Sequence, residues 1–534
     1  MNESIKQHKQ YNHLRGDYQL PLPIDFETSV APDDSVRLLS HILEELNYTK
    51  LYQAYSHKGR KPGVEPRILF KVIVYAFMEG IYSTRDIEKA CKRDINFKWL
   101  LQGYKIVDHS NIALFIKNHL NDCLEDLFYQ LVHILHDIHE INFENLFVDG
   151  TKIEANANKY TFVWKKVVHK NEAKMHLKIA ELFKQIDVNY LSNLSFDSSA
   201  PAESLSKAFN FLKEKQIAEN VTFVHGIGKR KTVLQKLTEQ TEDFLQRQKK
   251  YDECNTLFKG RNSYSKTDKD ATFMHMKDDH MRNAQLKPGY NIQIGVESEY
   301  ITGMDIYTDR SDVATLIPFL TNMRNQLGVG YKNIIADAGY ESEENYLFLE
   351  ENQQKPYIKP LMYEKWKKKS FKNDISKREN MTYVPDEDYY ICAAGKKLLA
   401  NGIFHKTSAN GYVSEVTSYE CEDCTDCPYK NKCTRARGNR KLQVSKKFVE
   451  KRSISYENIK TEKGIELRMN RSIQVEGAFG VIKWDHDFTR FLRRGKNNVK
   501  TEFMLLCFAY DIRKLHSRIQ GERCEKHLYP VKEA

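Results

Sequence analysis

The chain has 534 residues, and those with the most chemistry to offer are a few acids set among bases or at the ends of apolar runs. The stretch Asn470–Lys483, NRSIQVEGAFGVIK, carries Glu476 and Lys483 seven residues apart. On an α-helix that is about two turns, so both side chains project from one face. Arg471 lies near the same end of the element as the glutamate. Gly477 and Gly480 leave a strip without side-chain bulk, which another backbone or a ligand can approach. One acid flanked by two bases suits a site that holds a metal and a phosphate together. The bland alternative is a solvated ion pair on a helix face.

Two more acids sit where such a site needs them. In INFENLFVDGTKIEAN, Leu146, Phe147 and Val148 lead to Asp149; in KNIIADAGY, a short apolar strand ends at Asp337. A charge at such a position is costly unless it is paired or binds metal. Strand-end acids of α/β sheets lie in the crevice where ligands bind. Three carboxylates converging there repel one another without a cation. Hard oxygen donors suit Mg²⁺ or Mn²⁺, and two such ions ~3.5–4 Å apart can activate an attacking oxygen and stabilise a leaving one in phosphodiester chemistry.

The elements that would position these acids follow from patterning. Residues 1–33 read as an irregular arm. Residues 34–140 read as an all-helical domain: Asp34 caps VRLLSHILEEL, and PRILFKVIVYAF is a strongly apolar helix. This domain binds DNA through a helix-turn-helix, or is a plain packing or dimerisation unit. Residues 160–280 are polar and helical and read as an inserted hairpin arm. Positions 234, 237, 241, 244, 248 and 251 follow a weak coiled-coil spacing. YNIQIGVE and YITGMDIY flank a Ser298-Glu299 turn as a hairpin, Asp312 caps VATLIPFLTNMRNQL, and KPYIKPL is a strand. A second insertion spans 361–460, and the helix with Glu476 follows. The fold class is α/β, with a mixed sheet interrupted by two insertions. The core is expected over 141–159, 281–360 and 461–520, with a tail at 521–534.

The motifs VDGTKIEANANKY, LKPGYNIQIGVE, ADAGYESEENY and RSIQVEGAFGVIK, in this order, resemble the DDE transposases of bacterial insertion sequences. DFTRFLRRGKNNVKTEFMLLCFAYDIRKL resembles the end of the same domain, and PRILFKVIVYAF with STRDIEKACKRD resembles the domain that precedes catalysis. The resemblance covers roughly 34–515 and implies a ribonuclease-H-like core. It makes Asp149, Asp337 and Glu476 the metal-binding catalytic triad, and Lys483 and Arg471 phosphate contacts. Relatives carry a tyrosine–arginine–glutamate–lysine signature around the last acid. Here Glu476 and Lys483 keep that spacing, Arg471 stands one residue further out, and no tyrosine precedes it. The resemblance further implies double-stranded DNA partners (terminal inverted repeats and target DNA), a homodimer at synapsis, and hydrolysis that frees a 3′-hydroxyl for strand transfer. A DNA-binding protein of transposase descent that no longer cuts is the alternative reading, and a different ribonuclease-H-like nuclease is a third.

Four thiols, Cys421, Cys424, Cys427 and Cys433, crowd into the second insertion. Four thiolates suit tetrahedral Zn²⁺. An iron–sulfur site and an unmetallated loop are the alternatives. Lys430–Lys447 overlaps them with eight Lys or Arg and no acid. Arg435, Arg437, Arg440 and Lys441 are therefore candidates for contacting DNA phosphates. The formal charge of +11, so clustered, favours a polyanionic partner. Asp485-His486-Asp487 and Asp278-Asp279-His280 read as solvated loops rather than metal clusters. No apolar run reaches the ~18 residues that span a bilayer, no secretory signal opens the chain, and a cytoplasmic protein is expected.

Overall fold

A computed structural model of the chain describes residues 26–55, 62–226, 228–276, 285–408 and 410–530. Most of the N-terminal arm and Asp278-Asp279-His280 lie outside the described residues.

The site is built on a six-stranded mixed sheet. Strand β1 (Asn145–Glu154) is its centre, buried on both faces along most of its length. That burial explains why LFVDG reads as a continuous apolar run rather than an alternation. After two short strands of the first insertion, β2 (Phe162–Trp164) and β3 (Ser263–Ser265), come β4 (Thr272–His275), β5 (Leu286–Glu297), β6 (Tyr300–Tyr307), β7 (Asn333–Ala336) and β8 (Lys355–Ile358). The path runs β4-β5-β1-β7-β8, with β6 also on β5. β5 runs antiparallel to β1, while β7 runs parallel to both β1 and β8. Ser298 and Glu299 both take positive φ, which gives the β5–β6 hairpin a two-residue turn matched to strand twist.

Helices cover the sheet. The helix Lys496–Gln520, which contains FMLLCFAY, packs against β6 and against the helices Pro66–Met78 and Leu124–Asp137. Phe508 meets Phe70 and Phe128 edge-on at ring distances of 5.5 and 5.7 Å. One buried cluster therefore runs from the N-terminal helices through the sheet. Asp34 caps its helix as expected, accepting from the Val36 amide at 2.9 Å.

The first insertion holds three long helices, Lys165–Tyr190, Pro201–Ala218 and Val233–Phe258, rather than a two-helix hairpin. They enclose a core of their own around Leu182, Leu212 and Phe244. The polar positions 241 and 248 of the weak repeat are buried there, with Thr241 bonded to the Leu237 carbonyl and Gln248 to Glu172. The second insertion contains a five-stranded antiparallel sheet that the patterning did not announce. Its strands are β9 (Thr382–Val384), β10 (Tyr389–Ile391), β11 (Lys397–Thr407), β12 (Val413–Cys421) and β13 (Lys441–Val444). Beyond Leu398, β11 is exposed on both faces, so no period-2 apolar signal marks it.

Candidate active site

Sheet register brings the first two acids together. Val148 of β1 pairs with Ala336 of β7, so Asp149 and Asp337 occupy the next positions on neighbouring parallel strands. Adjacent strands lie about 4.8 Å apart, which places the two carboxylates side by side. Asp337 follows the last residue of β7, as expected. Asp149 is not at a strand end: β1 continues to Glu154, and what ends at Val148 is its pairing with β7. Asp337 Oδ1 accepts from the Gly339 amide at 2.8 Å, and Asp149 Oδ1 from the Gly150 amide at 2.8 Å.

The third acid arrives on a helical run laid across β1 and β5. It is α-helical over Glu462–Arg471, widens to a π-turn over Ser472–Glu476, returns to α over Gly477–Gly480 and widens again over Val481–Asp485. The second π-turn falls between Glu476 and Lys483 and changes their angular spacing from that of an ideal helix, and the two differ sharply in exposure. The Glu476 side chain is 65% exposed, whereas Lys483 is only 8% exposed. Among the described residues a Cβ on Gly477 or Gly480 would meet nothing within 4 Å, so none of their backbone uses the space these glycines leave. Asn470 bonds to Tyr529, and Gln474 to the Glu299 amide, which fixes the run against the tail and the β5–β6 turn.

Arg471 organises the centre. Its guanidinium lies 3.0 Å from Asp149 Oδ2, 3.9 Å from Asp337 Oδ2 and 4.0 Å from Glu476 Oε1. The residue whose spacing looked wrong by one position is the one that touches all three acids. A π-turn supplies the missing register, because it lets Arg471 and Glu476, five apart, project to the same side. The three acids converge on this cation without forming a close trio of carboxylate oxygens among the described residues. Among the described residues the only three potential ligand atoms within 4.8 Å of one another belong to Glu88, Asp108 and His109, where His109 bridges the two acids and Lys92 also pairs with Glu88.

Lys483 opens onto a cleft of about 290 Å³, lined also by Lys152, Lys287, Glu154 and the exposed Trp484. Lys287 pairs with Glu154 at 3.1 Å. Asp485 and Asp487 are exposed, but His486 is not solvated. It is buried between the Tyr82 hydroxyl, bonded to its carbonyl, and Arg513, 3.2 Å from its ring nitrogen. Burial first and the Arg513 charge next hold its imidazole below the usual range.

The thiols line one small cavity of about 20 Å³. Cys421, Cys424, Cys427 and Cys433 are joined there by Cys392, just after β10, which a search for close spacing does not find. The donor set suits a soft cation, and a cavity of this size admits one water-sized guest. No three of these sulfurs lie within 4.8 Å of one another among the described residues. Burial raises the Cys421 and Cys433 thiols, as for neutral groups. Of the basic candidates, Arg435 and Arg437 are exposed. Arg440 donates to the Ser376 carbonyl at 2.8 Å, and Lys441 pairs with Glu420 at 3.1 Å. All four belong to the small-sheet insertion, not to the sheet that carries the acids.

Three acids thus surround one guanidinium, and lysines line a cleft that Lys483 also borders, a concentration of both signs of charge. Comparison with known families gives the class its context. Residues 24–118 match the family described as Transposase domain (DUF772), and residues 391–516 match Transposase DDE domain. The second match takes in the thiol cavity and Glu476, while Asp149 and Asp337 lie before it. Together the two matches support a DDE transposase of the insertion-sequence type. No curated protein and no solved structure matches the chain. Among the described residues no helix is long and apolar enough to cross a membrane.

Proposed function

We propose that this transposase cuts DNA at the ends of its insertion sequence and joins the freed strand to target DNA, using Asp149, Asp337 and Glu476 as metal ligands. The observation that carries the proposal is the ring of these three acids around the Arg471 guanidinium. Three carboxylates drawn to one cationic group are a donor set for hard divalent ions. Mg²⁺ or Mn²⁺, as a pair of ions, would supply Lewis-acid charge to the scissile phosphate and lower the pKa of the attacking water. The ribonuclease-H-like reading of the core draws support from the strand path β6-β5-β1-β7-β8, with β5 antiparallel and β1, β7 and β8 parallel.

The chain's own residues have distinct tasks. Asp149 and Asp337, fixed by register, form the rigid half of the cation site. Glu476, more exposed and on a helix, completes it when the cation is bound. Arg471 balances the acids in the metal-free protein and would be free to turn to a substrate phosphate with cations bound. Lys483, with Lys152 and Lys287, holds the phosphates that flank the scissile bond. Water then attacks the phosphorus, the P–O3′ bond breaks, and the end retains its 3′-hydroxyl. In the joining step that hydroxyl attacks a target phosphodiester and expels a different 3′-oxygen, with no protein–DNA covalent intermediate. A second copy brings the other end. The N-terminal helices and Arg435 and Arg437 bind double-stranded DNA outside the reacting centre, and the thiols would hold Zn²⁺ to staple the second insertion.

The test uses duplex DNA carrying the inverted repeats that flank the gene, labelled on each strand in turn. The expected result is Mg²⁺-dependent nicking at the repeat boundary that leaves a 3′-hydroxyl. Binding to the repeats with no nicking in Mg²⁺ or Mn²⁺ would overturn the proposal.

A further inference from the structure

Asp312 was expected to cap a helix, and it does not. The helix Leu316–Leu327 begins after Thr315, and the carboxylate of Asp312 turns instead to the central sheet. Its Oδ1 accepts from Asn291 Nδ2 at 2.7 Å and from Gln293 Nε2 at 3.0 Å. Both amides belong to β5 and are fully buried. Gln293 pairs in register with Gly150, beside Asp149. Its Oε1 accepts from the hydroxyl of Tyr340, in the turn that follows Asp337. Hydrogen bonds thus join Asp312 through Gln293 to the turn after Asp337, and sheet register sets Gln293 opposite the glycine beside Asp149.

The glycines beside those acids fit the same arrangement. A Cβ on Gly150 would stand 2.8 Å from Asp312 Oδ1. A Cβ on Gly339 would stand 2.9 Å from Asp337 Oδ1 and 3.7 Å from Asp312 Oδ2. The Asp312 carboxylate therefore lies against the backbone that presents Asp149 and Asp337. The buried phenol of Tyr340 senses all of these charges. Burial holds its pKa far above the usual range, Asp312, Asp149 and Asp337 add to the rise in that order, and Arg471 opposes it.

We propose that Asp312 is a fourth acid of the cation site, a positioning residue that holds Asp149 and Asp337 through Asn291, Gln293 and Tyr340 and adds its charge to the field that draws in a divalent ion. The inference rests on the reading of Asp149 and Asp337 as cation ligands. Its Oδ1 is committed to two amides, so its contribution is placement and charge.

Asp312→Asn keeps the size and the accepting oxygen and removes the charge. Mn²⁺ binding to the full-length protein, followed by electron paramagnetic resonance, is compared among wild type, Asp312→Asn, Asp312→Glu and Asp149→Asn. The expected result is about tenfold weaker Mn²⁺ binding by Asp312→Asn, because a nearby negative charge no longer favours the cation. In EDTA its unfolding midpoint stays level or rises, since one of four mutually repelling charges is gone. Asp312→Glu restores the charge and recovers affinity. Wild-type Mn²⁺ affinity in Asp312→Asn, a lowered midpoint in EDTA, or no recovery in Asp312→Glu would each overturn the proposal. Asp149→Asn separates the two readings. If it too binds Mn²⁺ normally, the cation site itself is misassigned and both fall. If it alone weakens binding, only the role of Asp312 falls.

Discussion

Replacing Arg471 by glutamine has two consequences of opposite sign. The guanidinium faces Asp149 at 3.0 Å, and that carboxylate is only 10% exposed. At an effective dielectric constant of about 20, a pair at this distance attracts by about 5 kcal/mol before desolvation is subtracted. Asp337 and Glu476 stand at 3.9 and 4.0 Å and are 42% and 65% exposed, so solvent screens both. Losing the cation while keeping the partly buried acids therefore costs about 3 kcal/mol of stability in the metal-free protein. A divalent ion no longer has to displace a guanidinium, so Mn²⁺ binds about tenfold more tightly, a change of about 1.4 kcal/mol. Thermal unfolding in EDTA and in Mg²⁺ reads the first effect, and a Mn²⁺ titration reads the second. Arg471→Gln is expected to unfold several degrees lower in EDTA, to regain most of the loss in Mg²⁺, and to bind Mn²⁺ more tightly while cleaving DNA more slowly. An unchanged midpoint in EDTA together with weaker Mn²⁺ binding would refute the idea that this side chain stands in for the metal.

Three other predictions follow from the same structure. Asp149→Ala, Asp337→Ala and Glu476→Ala are each expected to abolish Mg²⁺-dependent end cleavage and leave gel-shift binding of end DNA largely intact; normal cutting by any of them removes that residue from the triad. Freshly purified reduced protein is expected to carry about one equivalent of zinc by elemental analysis, lost when Cys424 and Cys427 become serine; protein without zinc counts against the thiol site. Glu297 is 2% exposed and accepts from the Phe143 and Glu144 amides, and burial pushes its carboxyl up to about 7. A folded-state pKa above the unfolded value of 4.5 favours the native state at low pH, and this contribution, about 3 kcal/mol, is lost as pH rises through 7. Denaturation of Glu297→Gln is expected to show a flatter pH dependence between 4.5 and 7 than wild type, and an unchanged profile would count against it.

The two sheet acids were legible because each closes a run of buried apolar residues, and sheet register then makes them neighbours. The hairpin turn at Ser298 and Glu299 and the cap at Asp34 were legible for similar local reasons. What escaped depends on contacts distant in sequence or on irregular backbone. An ideal helix gives Glu476 and Lys483 one face and one environment, and only irregular backbone changes their spacing and brings Arg471 to the acids. Asp312 has the type and position of a helix cap, and nothing local reveals two buried amides on β5 that compete for it. Cys392 precedes its cluster by too many residues for spacing to find, and β11 is too exposed to show a strand pattern.

The most direct test of the central claim compares wild type with Glu476→Gln on labelled end DNA, in Mg²⁺ and in EDTA. Glutamine keeps the shape of the side chain and removes its charge. Wild type is expected to leave 3′-hydroxyl ends in Mg²⁺ and none in EDTA, and Glu476→Gln none in either, with equal binding of the DNA throughout. Cleavage by Glu476→Gln at the wild-type rate, or cleavage by wild type in EDTA, would contradict it.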